Sequence, residues 1–275
     1  MSFRIDPRLP LTGEVRRILA EEIGKALAHL DAARSRPEQG LHKCRKRLKS
    51  ARALLRLVRS GDETFCETEN QCYRNVAALI ARQHELHEGT GLEAAIGAAT
   101  AACEEGLRRI DTLALPDQPE QAADVLADGA RVTLRRARKA LDKAGSRGAA
   151  NDFHDLRKAA KTHGMHLSLL GRLWPTPIKA RRKAVDELGE RLGDLHDVLV
   201  MRDLLQADDR PLGPPEDTKL LGKLLKRSEK QLKKSCLAEA AELFGDSPKR
   251  STRKLARKAR DDLADQPEGA NGVIR

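Results

Sequence analysis

Aromatic side chains are nearly missing from this sequence: it has one Trp, one Tyr and four Phe in 275 residues. A core cannot be built around large rings, so it falls to Leu, Ala, Ile and Val, and Leu with Ala favours helix. No apolar run approaches the roughly 18 residues that a membrane-spanning helix needs, and no membrane partner is expected. The opening residues MSFRIDPRLPLTGEV contain no apolar stretch ahead of a cleavage site, which argues against a secretory signal. Cysteine is sparse. Cys44, Cys66, Cys72, Cys103 and Cys236 form an odd set without a CxxC pair, the pattern of reduced thiols in a cytosolic setting. These absences predict a soluble, cytoplasmic protein.

A second absence is local. Residues 41–58, LHKCRKRLKSARALLRLV, hold eight Lys, Arg and His side chains and no acidic one. The whole chain carries 52 Lys and Arg against 41 Asp and Glu, a formal net charge of +11. Such a balance points to a polyanionic partner and says nothing about fold.

What is present is helical periodicity. Helix breakers recur at Pro37, Gly61, Gly89 to Gly91, Pro116 to Pro119, Gly145 to Gly148, Pro175 to Pro177, Pro211 to Pro215 and Gly245 to Pro248. Between them apolar residues step by three and four. Leu41, Cys44, Leu48, Ala51, Leu55 and Val58 fall on one face of a helix. No stretch alternates long enough to predict a strand. The expectation is an all-α bundle of about eight or nine long helices.

An internal repeat refines this. LHKCRKRLK at 41–49 and FHDLRKAAK at 153–161 align His42 with His154, Arg45 with Arg157, Lys46 with Lys158 and Lys49 with Lys161. The same offset sets His84 and Glu85 against His196 and Asp197. One offset satisfying two separated pairs predicts a duplicated helical unit in a two-fold pseudo-symmetric bundle. The halves are expected at about 10–112 and 119–262, within one domain covering 1–265 and followed by a flexible tail at 266–275.

Residues three and four apart share a helix face. His42, Arg45, Lys46, Lys49, Arg52 and Arg56 form one basic stripe, from which Lys43 and Arg47 point away. His154, Arg157, Lys158 and Lys161 form a shorter one. Lys219, Lys223, Lys226, Lys230 and Lys233 form a third, and residues 249–260 add a fourth cluster. Any one of them reads most simply as a solvated face. Several stripes without the usual i, i+4 carboxylates point instead to a bound anion that relieves their repulsion. His163 aligns with Ala51 on the apolar face and reads as a partly buried packing residue.

A His followed by Arg or Lys at +3, +4 and +7, occurring twice, resembles the CHAD family of helical domains, named for their histidines. The segment LGERLGDLHDVLVMRDLL (188–205) is similar to that family's Leu-Gly-x-x-Leu-Gly-x-Leu-x-Asp stretch, and AELFGDSPKRSTRKLARKA is similar to a family ending. The resemblance covers roughly residues 10–262. It implies a basic, His-containing groove between pseudo-symmetric halves that binds inorganic polyphosphate, and it implies association with polyphosphate granules. Carried over by position, His42, Arg45, Lys46, Lys49, His154, Arg157, Lys158 and Lys161 become ligand contacts, with Lys219 to Lys233 as a flanking wall. The first half departs from the pattern: ARQHELHEGTGL lacks the Arg-Asp pair, so no role passes to His84 or Glu85.

Other chemistry has less to stand on. There is no Glu-x-Glu-x-Lys strand of a triphosphate tunnel, since ETENQ at 67–71 sits in a helical segment, and no GxxxxGK[ST] phosphate loop. Cys66, Cys72, His84 and His87 fit no standard zinc spacing. Asp197 reads as a partner of Arg202 or a cap, and Asp152 as a helix start. No nucleophile with a base is evident, so neither catalysis, cofactor nor metal is expected. Three functions remain open: a polyphosphate-binding module, a protein that binds the nucleic-acid duplex backbone, and an enzyme acting on polyphosphate or triphosphate. Six aromatics leave little for stacking bases, which weighs against single-stranded nucleic acid.

Overall fold

A computed structural model describes residues 3–82, 90–173, 175–206 and 213–250, together with 252, 253, 256, 257 and 260. Among the described residues there is no strand. Eight long α-helices follow one another among them: α1 (Leu11–Ala33), α2 (Pro37–Leu57), α3 (Glu63–Leu79), α4 (Thr90–Arg109), α5 (Pro119–Arg147), α6 (Ala150–Leu169), α7 (Pro175–Gln206) and α8 (Pro215–Phe244). Short 3-10 turns extend α3 and α4 at Ile80–Arg82 and Ile110–Thr112. The all-α expectation holds. No described helix is long and apolar enough to cross a membrane.

Local chemistry sets the boundaries. Proline opens α2, α5, α7 and α8, where its missing N–H removes a donor that has no partner in the first turn anyway. Asp62 caps α3, its Oδ1 accepting from the Phe65 N–H at 3.1 Å. Gly148 ends α5 at φ +65°, and its N–H donates to the Ala144 carbonyl at 3.1 Å, a left-handed stop that suits glycine.

The chain divides into two compact units. The first comprises 1–130, 168–175 and 253–275. In it α1 packs on α2 and α4, and α3 packs on α2 and α4, so the four helices close a ring. Their shared core takes Val15, Ile18, Ile23 and Leu30 from α1 and the whole predicted face of α2, with Leu41, Cys44, Leu48, Ala51, Leu55 and Val58 all at 0% exposure. Each of the Leu, Ile and Val side chains among them contributes about 1.5–3 kcal/mol on burial. At the N-terminus the Ile5 N–H donates to the Leu169 carbonyl at 2.9 Å. Asp6 is held by Arg8 and Arg172. The hydrogen bond from Arg8, set against partial burial, brings the Asp6 carboxyl down to about 2.

The second unit comprises 131–167 and 176–252. Thr133 of α5 meets the buried His166 of α6 at 3.0 Å. Helices α6 and α7 run antiparallel in a fixed register: His154 lies by His196, Arg157 by Gly193, and Gly164 by Val185 and Asp186. Helix α8 is tied to α7 by Arg191–Glu239 and Arg202–Glu229, each at 2.6 Å. Arg202 also pairs with its neighbour Asp203 at 3.2 Å, so Glu229, not Asp197, is its main carboxylate. His163 is buried outright at 3% exposure. Its Nε2 accepts from the Arg181 Nε–H at 3.2 Å, and its ring stands edge-on to Phe244. Burial, with Arg181 and His166 nearby, keeps it neutral by lowering its pKa well below the ordinary value.

Candidate polyanion-binding site

The candidate site is built from helix faces within each unit. On α2 the apolar residues are consumed by the first unit's core, which forces the cations outward. His42, Lys46 and Lys49 are exposed, while Arg45, Arg52 and Arg56 are half-buried. The Arg45 Nε is buried and has no hydrogen-bond partner among the described residues. The Arg52 Nε–H donates to Asn70 Oδ1 of α3 at 3.2 Å. Burial, and then the nearby Arg74, lowers the Arg52 pKa. The two residues predicted to point away behave differently from the stripe. Arg47 reaches back to the buried carboxylate of Glu22 on α1 at 3.5 Å, and Lys43 is exposed.

On α6 the second stripe repeats this arrangement. From 41/153 to 51/163 every aligned pair has the same degree of burial except His42/His154, where the first is exposed and the second half-buried. Arg157 again has a buried Nε without a partner among the described residues. Its guanidinium lies over Gly193, where an added methyl carbon would be 3.1 Å from Nη2. The His154 ring is 5.6 Å from that of His196, and its Nδ1 has no hydrogen-bond partner among the described residues. Its pKa is lowered by burial and then by Lys158 and His196, with Asp155 opposing. Lys158 and Lys161 are exposed, and Lys158 pairs with Asp155 at 3.3 Å.

The α8 stripe is less uniform. Lys219, Lys223, Lys226 and Lys230 are exposed. Lys233 is held inside the unit: its Nζ donates to the Gly148 carbonyl at 2.8 Å, pairs with Glu229 at 2.8 Å and sits 5.5 Å over the Phe153 ring. In the fourth cluster Arg253, Arg257 and Arg260 are exposed, and Arg260 pairs with Asp124 at 2.6 Å. Asp152 occupies the first turn of α6, buried and 3.6 Å from Arg147. His84, Glu85 and His87 lie outside the described residues. Among the described residues no three His, Cys, Asp or Glu side chains are grouped as a metal site would require.

Two basic features went unread in the sequence. Arg74 of α3 stands close enough to Arg52 to perturb it, and only the α2–α3 packing could reveal it. Helix α5 carries Arg131, Arg135, Lys139 and Lys143 at strict i+4 spacing, the last three exposed. That periodicity was available, although Asp142 interrupts the run.

Two comparisons with known sequences bear on this arrangement. A family model described as CHAD domain matches residues 62–206, more than half of the chain, from the cap of α3 to the end of α7. The match takes in the α6 stripe and the Gly193–His196 turn, and it leaves out the α2 stripe. No curated protein matches the chain.

Proposed function

The chain belongs to the CHAD domain family, and on that premise we propose that it binds inorganic polyphosphate along the basic faces of α2 and α6. The observation that carries this reading is the matched pair Arg45 and Arg157. Each is half-buried on a helix whose apolar side is fully committed to the core, and each has a buried Nε without an acceptor among the described residues. A guanidinium whose inner edge is shielded offers its remaining N–H groups outward as a fork, the geometry that phosphate oxygens accept. On α2 His42, Lys46 and Lys49 add exposed donors beside Arg45, and on α6 Lys158 and Lys161 add them beside Arg157. Lys219, Lys223, Lys226 and Lys230 extend the field, whereas Lys233 is left out because its ammonium is already satisfied.

Binding is then electrostatic, driven by release of counterions from a linear polyanion. The reading assigns no catalytic residue and no cofactor, and it places the protein in the cytoplasm, on polyphosphate granules where these form. The shared burial pattern, and the offset that carries His42 to His154 and also carries Glu63, the first residue of α3, to Pro175, the first of α7, support reading the two units as copies of one helical unit.

A second reading, contact with a nucleic-acid duplex backbone, draws on the exposed α5 and α8 faces, because phosphate contacts need no aromatic residue. A titration of long-chain polyphosphate against duplex DNA, at matched phosphate concentration and salt, separates the two. Tighter polyphosphate binding is expected, and equal or tighter DNA binding would replace the first reading with the second.

A further inference from the structure

Helix α7 carries two glycines in the segment LGERLG, and the structure separates them. A methyl group added at Gly189 meets nothing within 4 Å. One added at Gly193 lies 3.1 Å from Arg157 Nη2, 3.6 Å from Cζ and 4.0 Å from Nε, and these three guanidinium atoms are its nearest neighbours. Close approach of two helix backbones is therefore not what keeps a side chain out of this position.

Glycine inside a helix is unfavourable relative to alanine because it loses more backbone freedom on folding. Gly193 bears that cost where only the Arg157 head group benefits. The Arg157 Nε is buried and finds no acceptor among the described residues, so no hydrogen bond seen at that atom sets the orientation of its plane; what lies against it is the bare backbone of α7. On the same two turns His196, three residues after Gly193, meets His154, three residues before Arg157. At the position that the repeat aligns with Gly193, the first half has Ala81.

We propose that Gly193 is a positioning residue for polyphosphate binding: it seats the Arg157 guanidinium flat against α7 so that its outer N–H groups meet the ligand. This rests on the polyphosphate reading and names the element of α7 that serves it.

The test uses the full chain and long-chain polyphosphate as probe, with Gly193→Ala, Gly189→Ala, Arg157→Ala and the double variant Gly193→Ala/Arg157→Ala. Gly193→Ala is expected to weaken binding about three- to tenfold, a partial loss of one charge-assisted contact, while its melting temperature stays level or rises. A glycine that served only packing would lower both. Gly189→Ala should also be level or higher in melting temperature and should bind like wild type. The double variant should bind no worse than Arg157→Ala, because Gly193 acts through that side chain. In the free protein, the Arg157 Nε–H resonance should move in Gly193→Ala and stay in place in Gly189→Ala.

Wild-type affinity in Gly193→Ala, or a double variant clearly weaker than Arg157→Ala, overturns the proposal and leaves the polyphosphate reading standing. If Arg157→Ala binds like wild type, the reading fails at α6 and this inference fails with it.

Discussion

Helices α2 and α6 carry the same order of cations, yet they hold them differently. The α2 stripe is the longer, six cationic positions over four turns, and no carboxylate lies between Glu38 and Asp62. Its cations find partners on other helices: Arg52 donates to Asn70 of α3, and the off-stripe Arg47 pairs with Glu22 of α1. The α6 stripe has four members and brings its own acid: Asp155 pairs with Lys158, and the buried Asp152 lies in the first turn. It gains instead a His–His contact and a glycine beneath its arginine. Charge density dominates the first face and placement the second. The α2 face should therefore supply most of the salt-dependent affinity, and the α6 face should be the more sensitive to small geometric changes.

The largest test of that difference removes each stripe in turn. Arg45→Ala/Lys46→Ala/Lys49→Ala should weaken polyphosphate binding by two orders of magnitude or more. It should also flatten the log K against log salt slope by about two to three units, since each lost phosphate contact removes about 0.7 to 0.9. Arg157→Ala/Lys158→Ala/Lys161→Ala should flatten the slope less, because Lys158 is already partly neutralised by Asp155. Equal slopes for the two triple variants, in titrations from low to moderate salt, would erase the distinction. Melting temperature should not fall in the α2 variant, because deleting like charges at i, i+4 relieves repulsion.

The next largest effect belongs to stability in acid, and in the second unit it centres on His163. The pKa of His163 is lowered far below its ordinary value by burial, so the folded state holds it neutral while the unfolded chain protonates it below about 6.5. The unfolded state then binds more protons, and stability falls as pH drops through that value, by up to about 1.4 kcal/mol per pH unit for one such group. Protonation would also put an N–H on Nε2, where the Arg181 Nε–H now donates. His163→Leu, denatured in urea at pH 7 and pH 5.5, should lose less stability between the two than wild type. The aligned residue in the first unit is Ala51, which has nothing to titrate.

A smaller effect isolates the off-stripe cations. Arg47→Ala should leave polyphosphate affinity within about twofold and lower stability by roughly 1 kcal/mol. It removes a cation from a buried Glu22 that, among the described residues, keeps Lys25 at 3.2 Å, and a long, part-exposed pair is worth about that much. Lys43→Ala should change neither. A loss of binding in either variant would place the ligand on the wrong side of α2.

The architecture was legible because its signals are local. Proline and glycine positions marked the ends of α2, α5, α7 and α8, and the α2 apolar face emerged complete because a helix backed by one core must repeat every three to four residues. The buried position of His163 followed from its alignment with Ala51. What local signals could not reach was the choice of partner. Lys233 and Lys230 look alike in KRSEKQLKK, yet one is captured by Gly148 and Glu229 and the other faces solvent. Arg202 took Glu229 from another helix over Asp197, five residues back in its own. The closeness of Arg74 to Arg52 and the seat for Arg157 at Gly193 likewise depend on which helices pack and in what register, a tertiary property that helix periodicity does not encode.

The smallest effect distinguishes the two histidines that open the stripes. His154 is half-buried, and its pKa is lowered by burial, Lys158 and His196, so in the free protein it is neutral near pH 7 and gains charge only below the ordinary value of about 6.5. A polyanion favours the charged ring, because each phosphate oxygen accepts from and attracts an imidazolium more strongly than an imidazole. Binding must then take up a proton at this site as pH falls, and affinity must rise with it. Between pH 7.5 and 5.5, at constant salt, the wild-type affinity should increase by a few-fold. The His154→Ala protein should show a smaller rise and nearly match wild type at the upper end. Isothermal titrations in buffers of different ionisation enthalpy read the proton uptake directly. If His154→Ala keeps the full pH dependence and the full uptake, the ring contact with His196 is packing alone, and the second stripe binds through Arg157, Lys158 and Lys161 without help from its histidine.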